Sequence, residues 1–134
     1  MNNRQRKKWL KKHRLYVSPK ETWSLDVTLA KYIIPRLKKF KKLNNGYPGD
    51  EEMDTLEKWD DALDKMIQAF EYVINLDEYW IDDPRYDYTD VAFGDDKELY
   101  ERIMKNKIAE DICRVAAINE GLQLFAKYYM SLWW

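Results

Sequence analysis

The sequence predicts an all-α protein, a helical bundle of three long amphipathic helices with a basic N-terminal arm and one long acidic and aromatic loop. Three observations carry this. Apolar residues recur at three- and four-residue steps through three long stretches, the spacing that lines one face of a helix. Only 4 Gly and 4 Pro occur in 134 residues, and most fall between those stretches, so few residues interrupt the helices. The run Asn44-Asn45-Gly46, continued by Tyr47-Pro48-Gly49-Asp50, is a strong helix stop, because Asn and Gly tolerate the left-handed backbone that closes a helix. With 46% hydrophobic and 15% aromatic residues the chain has the composition of a folded globule, and its length suits one domain over residues 1–134.

The elements follow in order. Residues 1–21 are a basic arm and linker. Arg4, Arg6, Lys7, Lys8, Lys11, Lys12 and Arg14 stand there with no acid among the first fourteen residues, and a short helix carrying Trp9, Leu10 and His13 would have too little apolar surface to hold itself. Ser18-Pro19 leads to a helix start at Thr22 or Ser24. Over 22–44, Leu25, Leu29, Tyr32, Ile33, Leu37 and Phe40 mark a core face. Pro35 lies inside it, lacking a backbone donor and crowding the Lys31 carbonyl, so this helix is expected to kink or to split in two. The stretch 51–75 is the clearest helix, with Leu56, Trp59, Leu63, Met66, Ile67, Phe70, Val73 and Ile74 in register, and Asp50, Glu51, Glu52, Asp54 and Glu57 at the positive end of its dipole. Residues 76–95 break the pattern with Asp82-Asp83-Pro84 and Phe93-Gly94-Asp95 and carry Tyr79, Trp80, Tyr86 and Tyr88. A loop that long is more often functional or self-packed than idle, and a short strand over 89–93 is an alternative for part of it. The last helix, 96–132, places Leu99, Ile103, Ile108, Ile112, Val115, Leu122, Phe125, Tyr129 and Leu132 at nearly helical steps, with Gly121 as the expected kink or break.

A net charge of −1 conceals a division along the chain. Residues 1–42 hold 14 Lys/Arg against Glu21 and Asp26, about +12; the remainder hold 9 against 22 acids, about −13. Such polarity is either neutralised between neighbouring helices or presented to a partner. The single cysteine, Cys113, excludes an internal disulfide, and among Ile112, Val115 and Ala116 it reads as a small buried apolar side chain. No apolar run approaches a membrane span and no secretion signal is visible, so the expected location is the cytoplasm, away from membranes.

Two stretches resemble a known group. Trp23-Ser24-Leu25-Asp26-Val27-Thr28-Leu29-Ala30-Lys31-Tyr32-Ile33-Ile34-Pro35-Arg36-Leu37, then Asn45-Gly46-Tyr47-Pro48-Gly49 and the segment Trp59 to Phe70, are similar to small accessory proteins of tailed bacteriophages and prophages. The ending Glu120-Gly121-Leu122-Gln123-Leu124-Phe125-Ala126-Lys127-Tyr128-Tyr129 looks like that of the same group. The resemblance covers most of the chain outside the arm and the 76–95 loop. It implies a viral origin, hence the host cytoplasm, and leaves the chemistry open; by analogy, such a protein blocks or sequesters something of the host, as in counter-defence.

Enzymatic readings are weaker. Glu57, Asp60, Asp61 and Asp64 recur along one side of a helix, with Glu98, Glu101, Glu110 and Asp111 as a second set, a pattern similar to that of all-α, Mg²⁺-dependent nucleotide pyrophosphohydrolases. The first set falls opposite the Leu56, Trp59, Leu63 stripe, so the plainer geometry is a solvated acidic face. A di-iron bundle needs inward Glu-x-x-His pairs, but the only histidine, His13, is in the arm. That histidine is far in sequence from Cys113, and neither a nucleophile turn nor a phosphate-cradling glycine loop occurs. No catalytic residue, cofactor or metal ligand is therefore assigned.

Binding accounts for more of the sequence. Lys38, Lys39, Lys41 and Lys42 with the arm suit phosphates, with Trp9 or Tyr16 to stack on a base, yet a pI near 5.9 and the acidic remainder disfavour nucleic acid. A small anionic, nucleotide-like ligand fits better: Trp23, Tyr47, Trp80, Tyr86 and Tyr88 would stack on its ring while Arg36, Lys39 and Arg85 bind its charge. The alternative is an inhibitor or nucleic-acid mimic docking on a host enzyme. Trp133 and Trp134, awkward as solvated ends, would then be buried in that partner or in a homo-oligomer.

Overall fold

In a computed structural model, residues 1–75 and 97–133 are described. The first helix, α1 (Asn3–Lys12), forms without a core: no residue in it is buried. Its stability is local. The Asn2 side chain accepts the Gln5 N–H at 2.9 Å and the Gln5 side chain accepts the Asn2 N–H at 3.1 Å, a reciprocal cap, while Lys11 and Lys12 sit in the last turn where the dipole favours cations. Arg14 turns the chain with a left-handed backbone, φ 57°, and Lys7 and Lys11 lie over the Tyr16 ring. A 3₁₀ turn at Pro19–Thr22 then leads to α2.

Helix α2 (Leu25–Leu43) follows a left-handed Ser24 and runs through Pro35 as one helix, so the expected split does not occur. Helix α3 (Leu56–Asn75) begins five residues later than the acidic run suggested. Asp50 is the reason: its Oδ1 accepts the N–H groups of Glu52 at 3.0 Å and Met53 at 2.7 Å, closing a turn that the Gly49 N–H to Met53 carbonyl bond completes. Thr55 then caps α3 through the Lys58 N–H. Helix α4 (Lys97–Tyr128) is a single helix of 32 residues, continuous through Gly121, and ends in a 3₁₀ turn at Tyr129–Ser131. The loop expected over 76–95 lies outside the described residues, and the chain is all-α wherever it is described.

Bonds from the Met53 and Glu52 amides, Met53 first, hold the Asp50 carboxyl below the ordinary aspartate range. The linkage has a definite sign. Asp50 adds stability that is complete above the ordinary aspartate value and disappears as pH falls through the lower folded value. Asp50→Asn, which keeps the acceptor oxygen and removes the charge, is expected to flatten the acid limb of a melting-temperature profile. An unchanged limb would assign the acid sensitivity to other carboxylates.

The core is built around α3, which packs on α2 and on α4. Trp59, Ala62, Leu63, Met66, Ile67, Ala69 and Phe70 are all buried on it, joined by Ala30 and Leu37 of α2, Met53 of the turn and Tyr128 of α4. Trp59 meets Tyr128 edge-on with centroids 5.5 Å apart, and Phe70 meets Phe125 at 5.3 Å. Two predicted stripes are displaced. On α2, Leu25, Leu29 and Tyr32 are exposed and the face centred on Ala30, Ile33, Ile34 and Leu37 is used instead, because a small alanine lets α3 approach. On α4, Ile108, Ile112, Val115 and Leu122 are exposed, as are Tyr129 just after it and Cys113, whose apolar neighbours in sequence predict burial. The buried side of α4 is Arg114, Gly121 and Tyr128, flanked by Leu124 and Phe125.

Gly121 causes this rotation. A Cβ there would lie 2.5 Å from the Lys65 carbonyl oxygen and closer still to the Ala69 side chain, so its bare Cα marks where α4 comes against α3. The glycine is a contact and not a break.

Little of the charge division along the chain is neutralised internally: among the described residues two ion pairs join cations of residues 1–42 to acids of the remainder, and two more tie elements within the remainder. Lys38 pairs with Glu71 at 2.9 Å, Lys41 with Asp64 at 2.7 Å, Lys65 with Glu120 at 2.8 Å, and Lys127 with Glu52. The Asp64 hydrogen bond, assisted by Asp60 and Asp61, raises the Lys41 pKa. These are exposed pairs worth roughly 0–1 kcal/mol each, so they align helices more than they hold them. Among the described residues no ion pair involves a cation of residues 1–36.

Candidate functional site

The end of α2 and the start of α3 are joined by a segment that cannot be helical, and its hydrogen bonds fix its shape. The Asn44 N–H closes on the Phe40 carbonyl at 2.8 Å, and the Asn44 side chain bonds both backbone groups of Gly46. Tyr47 and Pro48 therefore hang over the first turns of α3, where Trp59 lies 1% exposed. The chain end after α4 arrives at the same place. Asn44, Asn45, Gly46, Tyr47, Pro48, Trp59, Ser131 and Trp133 line one pocket of about 390 Å³.

That volume falls within the usual range for a small-ligand site. Tyr47 is 49% and Trp133 77% exposed, so both rings can be reached, whereas the Trp59 edge is held by the core beneath. The polar groups of the lining residues are amides of Asn44, Asn45 and the 44–48 backbone, the Ser131 and Tyr47 hydroxyls and the indole N–H groups, and no charged residue contributes. Such a lining stacks on a flat ring and hydrogen-bonds its edge. It offers no cation to a phosphate.

Of the residues expected at a ligand site, then, the structure brings Tyr47 to a pocket and joins to it Trp133, which had been expected to meet a partner. Trp23, Arg36 and Lys39 do not line it. Trp23 is exposed before α2, Lys39 is exposed on α2, and the Arg36 guanidinium lies 3.5 Å from the Tyr32 ring centroid while donating to the Tyr32 carbonyl at 2.8 Å. Trp80, Arg85, Tyr86, Tyr88 and Trp134 lie outside the described residues. Sequence reasoning missed Trp59 and Ser131 as lining groups. Trp59 was read as core, which it is; its second role as a pocket floor has no separate signal in spacing.

The acidic steps behave differently. Glu57, Asp61 and Asp64 are exposed, Asp64 is engaged by Lys41, and among the described residues no group of three His, Cys, Asp or Glu side chains converges to hold a metal ion. A second groove of about 370 Å³, lined by Lys38, Lys41, Asp64, Ile67, Gln68 and Glu71, is charge-neutralised by the two α2–α3 ion pairs and so does not select an anion. No helix among the described residues is long and apolar enough to cross a membrane. Comparison with protein-family models, with curated proteins and with solved structures finds no match.

Proposed function

We propose that this is a non-enzymatic binding protein, of the small accessory kind that the bacteriophage resemblance implies, and that it sequesters a ligand through a planar ring of nucleobase size held between Tyr47 and Trp133 above Trp59. One observation carries the reading: residues 47, 59 and 133, remote in sequence, place three aromatic side chains around one reachable pocket. The absence of charge from the lining changes the ligand expected from sequence. A nucleoside, or the base of a nucleotide whose phosphate projects into solvent, suits it better than a group bound through its anion.

Thermal shift with nucleosides and with linear and cyclic nucleotides tests this. A ligand at a hundred times its Kd stabilises the fold by about 2.7 kcal/mol. Stacking of a base on an aromatic ring is worth about 1–3 kcal/mol, so Trp133→Ala and Tyr47→Ala should each weaken binding by roughly 5- to 150-fold. Both side chains are substantially exposed, so the unliganded melting temperature should hardly move. If no nucleoside or nucleotide shifts the melt at millimolar concentration, or the shift survives both substitutions, the reading fails.

A second reading, an inhibitor docking on a host enzyme, is favoured by one separate feature. Leu25, Leu29 and Tyr32 leave an exposed apolar strip on α2, with Trp23 exposed just before it, and the cations of the basic arm form no ion pairs among the described residues. Specific capture of one host enzyme, lost on Leu29→Glu, would support it; capture unaffected by that change would count against it.

A further inference from the structure

Helix α4 is apolar on two sides, and only one of them is used by α3. The unused side is ordered. Ile108, Ile112, Val115, Asn119, Leu122, Ala126 and Tyr129 follow one another at alternating steps of four and three residues, and every one of them is exposed. That alternation is the seam of a coiled coil, in which each side chain enters a hole formed by four residues of a facing helix. The seam runs for about 32 Å at 1.5 Å per residue. Exposure of its large apolar side chains runs from 37% at Leu122 to 64% at Ile112, and what sets the face apart is that they are contiguous instead of scattered singly.

Its borders support the same conclusion. Among the exposed positions from 108 to 130 only Glu120 and Lys127 carry charge, and both turn away to bridge Lys65 and Glu52. Ala109, Ala116 and Ala126 are small enough to let a second backbone come close. The lone polar residue of the seam is Asn119, and it chooses the occupant. Against a purely apolar partner its amide would be buried unsatisfied, which is costly. Against a second copy in register, it meets its own amide, the arrangement by which a single Asn fixes register and strand number in helix pairs.

We propose that α4 pairs with α4 of a second copy of this chain through the Ile108–Tyr129 seam, with Asn119 beside its counterpart at the two-fold axis. The seven seam residues are roughly a quarter to a third of the 20–30 residues per side of a standard interface, so the dimer is expected to be weak and dissociable. The proposal does not depend on the pocket, which lies beyond the seam at Trp133.

Sedimentation of the full chain from low micromolar to several hundred micromolar is expected to show a reversible monomer–dimer equilibrium. Ile112→Glu should weaken it by roughly 100-fold or more, because it places two like charges in the seam. Since Ile112 is exposed in the monomer, helicity and the dilute-solution melting temperature should be unchanged. In a Cys113→Ser background, Asn119→Cys should form a disulfide-linked dimer on mild oxidation, and Glu57→Cys, exposed on α3 away from the seam, should do so much more slowly. A chain monomeric at every concentration, a dimer indifferent to Ile112→Glu, or equal crosslinking at both cysteines would each overturn the proposal and leave the face to a different helix.

Discussion

Gly121→Ala is expected to lower stability by about 3 kcal/mol, a fall of roughly 10 °C in melting temperature for a chain of this size. The sign is the informative part. At an ordinary helix position the same change would raise stability by about 1 kcal/mol, since alanine is the better helix former. Here the added methyl meets the Lys65 carbonyl oxygen at 2.5 Å and the Ala69 methyl at less, so α4 must withdraw from α3 along the interface that contains Phe125 and Tyr128. A backbone carbonyl inside a helix cannot turn aside as a long side chain would. Ala69→Gly removes one of the two obstacles at the expense of helix propensity. In the double variant the two losses should therefore be less than additive, by a margin beyond the ~0.5 kcal/mol scatter of independent sites. A stabilised Gly121→Ala protein would mean that the helices do not approach as described.

Gly121 also illustrates where reading from sequence stops. Spacing alone located the three long helices, and on α3 it also chose the buried face from Trp59 to Phe70, because that stripe is wide and nothing competes with it; the first turn is the exception, since the helix starts at Leu56 and that side chain is exposed. On α2 and α4 two apolar stripes share one helix, and periodicity detects both without saying which faces inward. The choice is made by small residues, Ala30 and Gly121, which permit close approach and add nothing to an apolar pattern. The larger and more conspicuous Leu25, Leu29, Ile108 and Ile112 were therefore assigned to the core and are found outside it. The same reasoning places Cys113 wrongly, since its apolar neighbours in sequence are neighbours on the exposed side. At the candidate site, Tyr47 and Trp133 were legible as rings without a core position. Their meeting was not, because it depends on how far α4 extends and where its last turn delivers the chain. Arg36 and Lys39, expected as the cations of a ligand site, do not line this pocket, and Arg36 lies over the Tyr32 ring of its own helix.

Trp59→Ala carries the second large effect, an expected loss of about 3–5 kcal/mol, the range for truncating a buried large aromatic side chain. Trp59 is among the largest fully buried side chains, and its ring supports Tyr128 edge-on from α4. An aromatic pair of this kind adds roughly 0.5–1.5 kcal/mol beyond burial. Trp59→Phe keeps a ring for that contact while loosening the packing beneath the pocket, so stability and ligand affinity should separate. Chemical denaturation should find Trp59→Phe within about 2 kcal/mol of the parent, as for hydrophobic swaps that retain most of the volume. Binding of a ring-bearing ligand should weaken further than that stability change explains, because Trp59 floors the space between Tyr47 and Trp133. Equal retention of affinity and stability would leave Trp59 a core residue alone. Loss of affinity in a protein that still unfolds cooperatively would tie the pocket to the core, its floor held rigid by the same packing that fixes α4 against α3.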